Sequence, residues 1–164
     1  MAEKAELKGK LKQVETTLRS INALFPGVTT FQQKNGMSDD QMEAMYAIAY
    51  NLYQSGKYDE AVKVFLVLAI NNPFLPKYWK GMGASLQMSK KYCPAVYAYT
   101  TAGSLDVKDP EVYLHLSECT IALGRKEESI STLKTAIEKS AANPAYEHIA
   151  TRAQALLSTI DKKK

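Results

Sequence analysis

A chain of 164 residues, 46% hydrophobic and 23% charged, has the composition of one soluble domain with a sizeable core. Its 21 basic and 17 acidic residues are interspersed and leave a net charge of only +4, too mild for a nucleic-acid binder; the terminal Lys162-Lys163-Lys164 reads as a solvated tail. The longest apolar run, Val64 to Ile70, is too short to cross a bilayer, and two cysteines, Cys93 and Cys119, supply no disulfide framework.

No apolar segment follows Met1-Ala2-Glu3-Lys4, so no signal peptide is visible and a cytosolic protein without membrane contact is expected. The first predicted element is a helix from about Ala5 to Leu24. Its apolar residues Leu7, Leu11, Val14, Leu18, Ile21 and Phe25 step by 4, 3, 4, 3 and 4, the spacing of a helix–helix seam. A lone helix of that length is marginal in water, so the seam must bury, either on the chain's own first repeat or on a second copy. The regular spacing favours the second copy, a homodimer. Pro26-Gly27 stops this helix, and the polar stretch from Val28 to Met37 reads as a linker. Residues 1–37 thus form one unit and residues 38–160 another.

The second unit is built on a 34-residue period. With Met42, Pro76 and Pro110 each as position 1, position 4 is large: Met45, Trp79, Tyr113. Position 8 is small, Ala49, Gly83, Ser117, and so is position 20, Ala61, Ala95, Ser129. Position 24 is large, Phe65, Tyr99, Leu133, and a turn falls near position 15, at Gly56, Lys90 and Gly124. This matches the tetratricopeptide pattern, a helix–turn–helix unit that cannot bury its apolar face alone and stacks on its neighbours. Repeats near 42–75, 76–109 and 110–143 give helices at 39–54, 58–71, 76–88, 92–105, 110–122 and 126–140. Ser38 with Gln41 forms a capping box for the first, and Asp109-Pro110 caps the fifth. A closing helix over 144–160 follows Asn143, with Ile149, Ala153, Leu156 and Ile160 spaced 4, 3 and 4. The third repeat matches least well: Thr120 stands where a bulky residue is usual and Lys126 where an aromatic is usual. The expected fold is all-α, three repeats stacked as a right-handed superhelix between an extra N-terminal helix and a C-terminal capping helix.

The chain carries no phosphate loop, dinucleotide fingerprint, nucleophile elbow or zinc-finger spacing. Gly81-Met82-Gly83 falls inside a predicted helix, without the strand and third glycine that phosphate binding needs. His115 and Cys119, four apart, are two potential ligands where a structural zinc needs four, so they read as packing residues. Glu127 and Glu128 are adjacent and diverge around a helix. No catalytic constellation, metal or cofactor is expected.

Function therefore rests on the concave surface. The first helix of each pair lines it, through positions 2, 5, 9 and 12. The first repeat offers Glu43, Tyr46, Tyr50 and Tyr53; the second Lys77, Lys80, Ala84 and Gln87; the third Glu111, Leu114, Glu118 and Ile121. The core slots of the first helix are taken by Met45, Ile48, Ala49 and Leu52, which leaves the tyrosine stripe to the groove. Tyrosine suits such a surface, giving large area at small entropic cost with one polar tip. Repeats that clamp a terminal carboxylate use Lys and Asn at positions 5 and 9 of the first repeat; Tyr46 and Tyr50 stand there, so that clamp is absent.

The run Ala49-Tyr50-Asn51-Leu52-Tyr53-Gln54-Ser55-Gly56-Lys57-Tyr58-Asp59-Glu60-Ala61, then Lys63-Val64-Phe65, resembles the first repeat of the class II type III secretion chaperones. Gly81-Met82-Gly83-Ala84 resembles their second. Asn71-Asn72-Pro73 in the inter-repeat turn, and Lys77 and Lys80 in the groove, depart from the family pattern. The resemblance implies a bacterial cytosolic chaperone of hydrophobic translocator proteins. It would hold an extended apolar segment near the client's N-terminus until export, as a homodimer, with a transcriptional activator as a further partner of some members. A scaffold of a secretion apparatus and a coregulator of transcription are the competing readings; an enzyme is the least expected.

Overall fold

A computed structural model of the chain describes residues 29–162. The helix expected over 5–24, with the seam of Leu7, Leu11, Val14, Leu18, Ile21 and Phe25, lies outside the described residues. In chain order the elements are α1 (Phe31–Lys34), α2 (Asp39–Gln54), α3 (Tyr58–Asn71), α4 (Pro76–Met88), α5 (Tyr92–Leu105), α6 (Pro110–Ala122), α7 (Lys126–Ser140), a 3-10 turn (Pro144–Tyr146) and α8 (Glu147–Lys162). No strand occurs among the described residues.

The six repeat helices begin and end where the sequence places them, and α2 and α6 carry the side-chain caps it marks. Ser38 N–H donates to Gln41 Oε1 at 2.9 Å, and Gln41 N–H returns to Ser38 Oγ at 3.2 Å. Asp109 Oδ1 accepts from Glu111 N–H at 3.0 Å, with Pro110 at the first helical position. At position 15, Gly56 and Gly124 turn the chain with φ of 75° and 72°, and Lys90 adopts the same left-handed conformation at 59°.

Two segments depart from expectation. The stretch read as a linker contains α1, started by a second reciprocal capping box between Thr30 and Gln33. Behind it, Gln32 is buried and joins two repeat elements: its amide donates to Asp39 at 2.7 Å and accepts from Asn72 at 3.1 Å. That bond accounts for Asn72 in the inter-repeat turn. The closing element starts as a 3-10 turn and becomes α-helical only at Glu147.

Each repeat pair closes on small residues. Ala49, Ser117, Ala61, Ala95 and Ser129 are fully buried, and Phe65, Tyr99 and Leu133 at position 24 fill the space they leave. In α4 the approach is closer still. A Cβ on Gly81 would stand 2.4 Å from the Phe65 ring, and one on Gly83 would stand 2.9 Å from the Tyr99 ring. The glycines of Gly81-Met82-Gly83 are thus packing constraints. In the third repeat Thr120 is buried, donates to the Ser117 carbonyl at 2.9 Å and lies 2.9 Å from the Ser129 hydroxyl. A paired polar contact takes the place of the usual bulk there.

One expected core residue is not in the core. Ile48 is 54% exposed, whereas Met82 and Leu116 at the same repeat position are buried. Position 7 packs against the preceding repeat, and among the described residues only α1 stands before α2.

Gly81→Ala tests the close approach. Helix propensity alone favours alanine by about 1 kcal/mol. The clash with buried Phe65 is of the overpacking kind, about 1–3 kcal/mol. The expected outcome is a lower melting temperature by calorimetry, and a rise would mean that the Phe65 ring yields without cost.

Candidate functional site

Successive first helices touch side by side, α2 to α4, α4 to α6 and α6 to α8, while the second helices of successive pairs stand further apart. The face made by α2, α4, α6 and α8 is therefore the inner face of the curve, where positions 2, 5, 9 and 12 point.

The tyrosine stripe lies at its first-repeat end. Tyr50 is 48% exposed. Tyr46 is half-buried, its ring edge-on to Phe65 at 5.9 Å and 6.1 Å from Tyr78, with Lys77 Nζ 4.7 Å above it. Tyr53 is half-buried and edge-on to Tyr58 at 5.6 Å. Burial, then the Glu43 carboxylate, raises the Tyr46 hydroxyl pKa, so that hydroxyl stays neutral at physiological pH. Two backed rings flank one open ring, a fixed aromatic surface with little rotamer freedom left to lose.

Beyond the tyrosines the groove is polar, through contacts that span repeats. Lys77 pairs with Glu43. Lys80 pairs with Asp109 at 2.7 Å and with Glu111. Glu111 also faces His115 Nε2 at 3.7 Å, and His115 Nδ1 lies 3.1 Å from Glu118. Glu118 accepts from Gln87 at 2.9 Å and lies 2.6 Å from Arg152 of α8. Gln87 in turn accepts from the Tyr99 hydroxyl at 2.8 Å. The His115 ring stacks on Tyr99, centroids 5.7 Å apart. Burial opposes the charged form of His115, but the carboxylates of Glu111 and Glu118 outweigh it and push its pKa up to about 9. His115, then burial in opposition, then Lys80 set the Glu111 pKa, which falls to about 2. With His115 protonated, Glu43, Asp109, Glu111 and Glu118 balance Lys77, Lys80, His115 and Arg152.

The sequence assignments divide accordingly. Tyr46, Tyr53, Lys77, Lys80, Gln87 and Glu118 carry the contacts above, Tyr50 is the open ring, and Ala84 is half-buried in α4. Leu114 does not line the groove: it is 4% exposed, packed in a cluster with Leu133, Ala136, Ile149 and Ala153. Side chains of both α7 and α8 close over it. Ile121 stands at the far end, on the wall of a cavity shared with α8. His115 belongs to the groove as an ion-pair partner. Cys119 beside it is buried, its thiol pushed up to about 12 by burial and then by Glu118. No cluster of three or more metal-ligating side chains occurs among the described residues. Arg152 was not anticipated. Extending the register to Pro144 as position 1 places it at position 9, opposite Glu118 at the same position. No helix among the described residues is long and apolar enough to cross a membrane.

Tetratricopeptide-repeat models match residues 42–70, 76–102 and 110–143. The low calcium response locus protein H of Yersinia pseudotuberculosis is 32% identical over 145 residues, 88% of this chain and 86% of that protein. A type III secretion complex from Aeromonas hydrophila superposes with a TM-score of 0.82 at 29% identity, over 88% of this chain and 97% of that one. The type III secretion chaperone SycD of Yersinia enterocolitica, solved with a peptide of the translocator YopD, superposes with a TM-score of 0.74 at 34% identity, over 77% and 97%; SycD has also been solved as an alternative dimer.

The His115 contacts give the groove a pH signature. A histidine raised from 6.5 to about 9 on folding adds stability that is complete below 6.5 and is lost as pH rises through 9. Glu111, lowered from 4.5 to about 2, adds stability that is present above 4.5 and is lost as pH falls through 2. Both contributions are complete between these limits, near pH 5 to 6. The melting temperature of the wild type should fall relative to His115→Gln between pH 6.5 and 9, measured in parallel scans. Parallel profiles would show that the ring is not charged in the folded chain.

Proposed function

The chain belongs to the family of tetratricopeptide-repeat translocator chaperones of type III secretion, and on that premise we propose that its groove holds an extended apolar segment of a hydrophobic translocator protein. The chain works in the bacterial cytoplasm, keeps its client soluble and unassembled before export, and catalyses no reaction. The observation that carries this reading is the aromatic stripe on the inner face: Tyr50 open, Tyr46 and Tyr53 fixed behind it by Phe65 and Tyr58. An extended segment lays alternate side chains on such a surface, and the neighbouring carboxylates, amides and ammonium groups are partners for its exposed backbone. The likeness to SycD, bound to a peptide of YopD, supports the same class of client.

Co-expression with the hydrophobic translocators of its own secretion system tests this directly. Each client should become soluble in a complex of fixed stoichiometry with the chain. A client that stays insoluble would point to a scaffold instead. Tyr46→Ala with Tyr50→Ala should weaken binding at least about tenfold, since buried aromatic anchors are worth roughly 1–3 kcal/mol each. Tyr46 also backs Phe65, so Tyr50→Ala alone serves as the variant that leaves the core intact. Unchanged affinity in a folded double variant removes the stripe from the site.

The active form in this reading is a homodimer joined through Leu7, Leu11, Val14, Leu18, Ile21 and Phe25, a regular apolar seam that must bury. Leu11→Asp with Leu18→Asp places two charges in it. Light scattering should then give the monomer mass, with the repeats still helical and still binding client. A wild-type chain that is monomeric at tens of micromolar overturns the dimer and leaves the seam as a cap on the first repeat.

A further inference from the structure

At the far end of the groove from the tyrosines, a cavity of about 230 Å³ opens between α6, the turn after it, the start of α7, and α8. Ile121, Leu156 and Ile160 form its apolar wall; Thr159 and Lys126 stand among the remaining lining residues. Its origin is legible in the repeat. Position 17 is Tyr58 in the first repeat, packed on Tyr53, and Tyr92 in the second, packed on the core. In the third it is Lys126, and the room an aromatic ring would fill is left open. The cavity borders the groove through Ile121, which holds position 12 of the third repeat. Ile121 lies one turn beyond Glu118 on α6, Leu156 lies one turn beyond Arg152 on α8, and Glu118 and Arg152 are bridged at 2.6 Å. Its volume is below the roughly 300–1,000 Å³ of small-molecule sites, which fits a side chain and not a cofactor.

We propose that this cavity is a terminal pocket of the groove, which takes one apolar side chain of the same client segment that lies on Tyr46, Tyr50 and Tyr53. The inference rests on the chaperone reading above and adds a second anchor to it. The two anchors stand at opposite ends of a balanced charged floor, so the client carries an apolar residue at each end of the segment that spans it.

The test uses the chain in complex with the translocator that co-purifies on co-expression. A photo-crosslinking benzoylphenylalanine is placed at Thr159, at Tyr50, or at exposed Thr100 of α5 as the outer-face control. Cross-links from 159 and 50, and none from 100, are the expected result. A cross-link from 50 alone overturns the pocket and leaves the chaperone reading standing; none from either overturns both. Two variants fill the cavity by different routes. Lys126→Tyr restores the residue type of the first two repeats, and should raise the melting temperature while weakening client binding about tenfold. Thr159→Trp enters from the exposed rim, keeps the Lys126 charge, and should weaken binding to a similar degree. Unchanged affinity in either variant, with its helical circular-dichroism signal intact, overturns the proposal.

Discussion

How closely the two helices of a repeat approach one another governs everything above the level of a single helix. Ala49 and Ala61, Gly83 and Ala95, and Ser117 and Ser129 let the pairs close, while Phe65, Tyr99 and Leu133 fill what is left. The contact is a constraint on volume from both sides. A smaller residue at position 24 leaves a void, and a larger one at position 8 drives the helices apart. Because the approach is repeated, α2, α4, α6 and α8 come to lie side by side, and residues 34 apart in sequence come to share one surface. Glu43 and Lys77 are such a pair.

The groove made in this way combines two kinds of surface with different consequences. Its aromatic end supplies area that water leaves readily. Its charged stretch supplies little net attraction for an apolar peptide, since each ion is already matched. Partly buried pairs of this sort contribute little net stability, yet removing one partner strands the other, which is costly. His115 is held by Glu111 and Glu118 on one helix and by the Tyr99 ring beneath it, so its orientation is fixed from three directions. The stretch is thus a stiff, internally matched floor beside the aromatic end.

The helices were legible in the sequence because their signals are local. A capping box at Ser38 or a proline at 110 operates within four residues, and the 34-residue period reports every pair that closes. What the sequence concealed depends on the ends of the stack and on contacts between repeats. Ile48 sits at a core position yet is exposed because no repeat precedes it among the described residues; Leu114 sits at a groove position yet is buried in the apolar cluster that α7 and the closing α8 make around it. A pattern averaged over interior repeats says nothing of either case. The links from Lys80 to Asp109 and from Glu118 to Arg152 join residues 29 and 34 apart, where no short-range pattern reaches. α1 escaped because four residues carry no periodicity, although Thr30 and Gln33 have the spacing of a capping box.

From α2 onward, every described element packs chiefly on its immediate neighbours in sequence; α1 reaches past α2 to α3, where the hydrogen bond from Asn72 to Gln32 spans 40 residues. Such a chain has little loop-closure entropy to overcome at any step, and its repeats can form one after another as they leave the ribosome. No strand edge waits for a distant partner among the described residues. A protein that shields aggregation-prone chains is then competent almost as soon as it is made, with no long-lived unfolded stage of its own to protect.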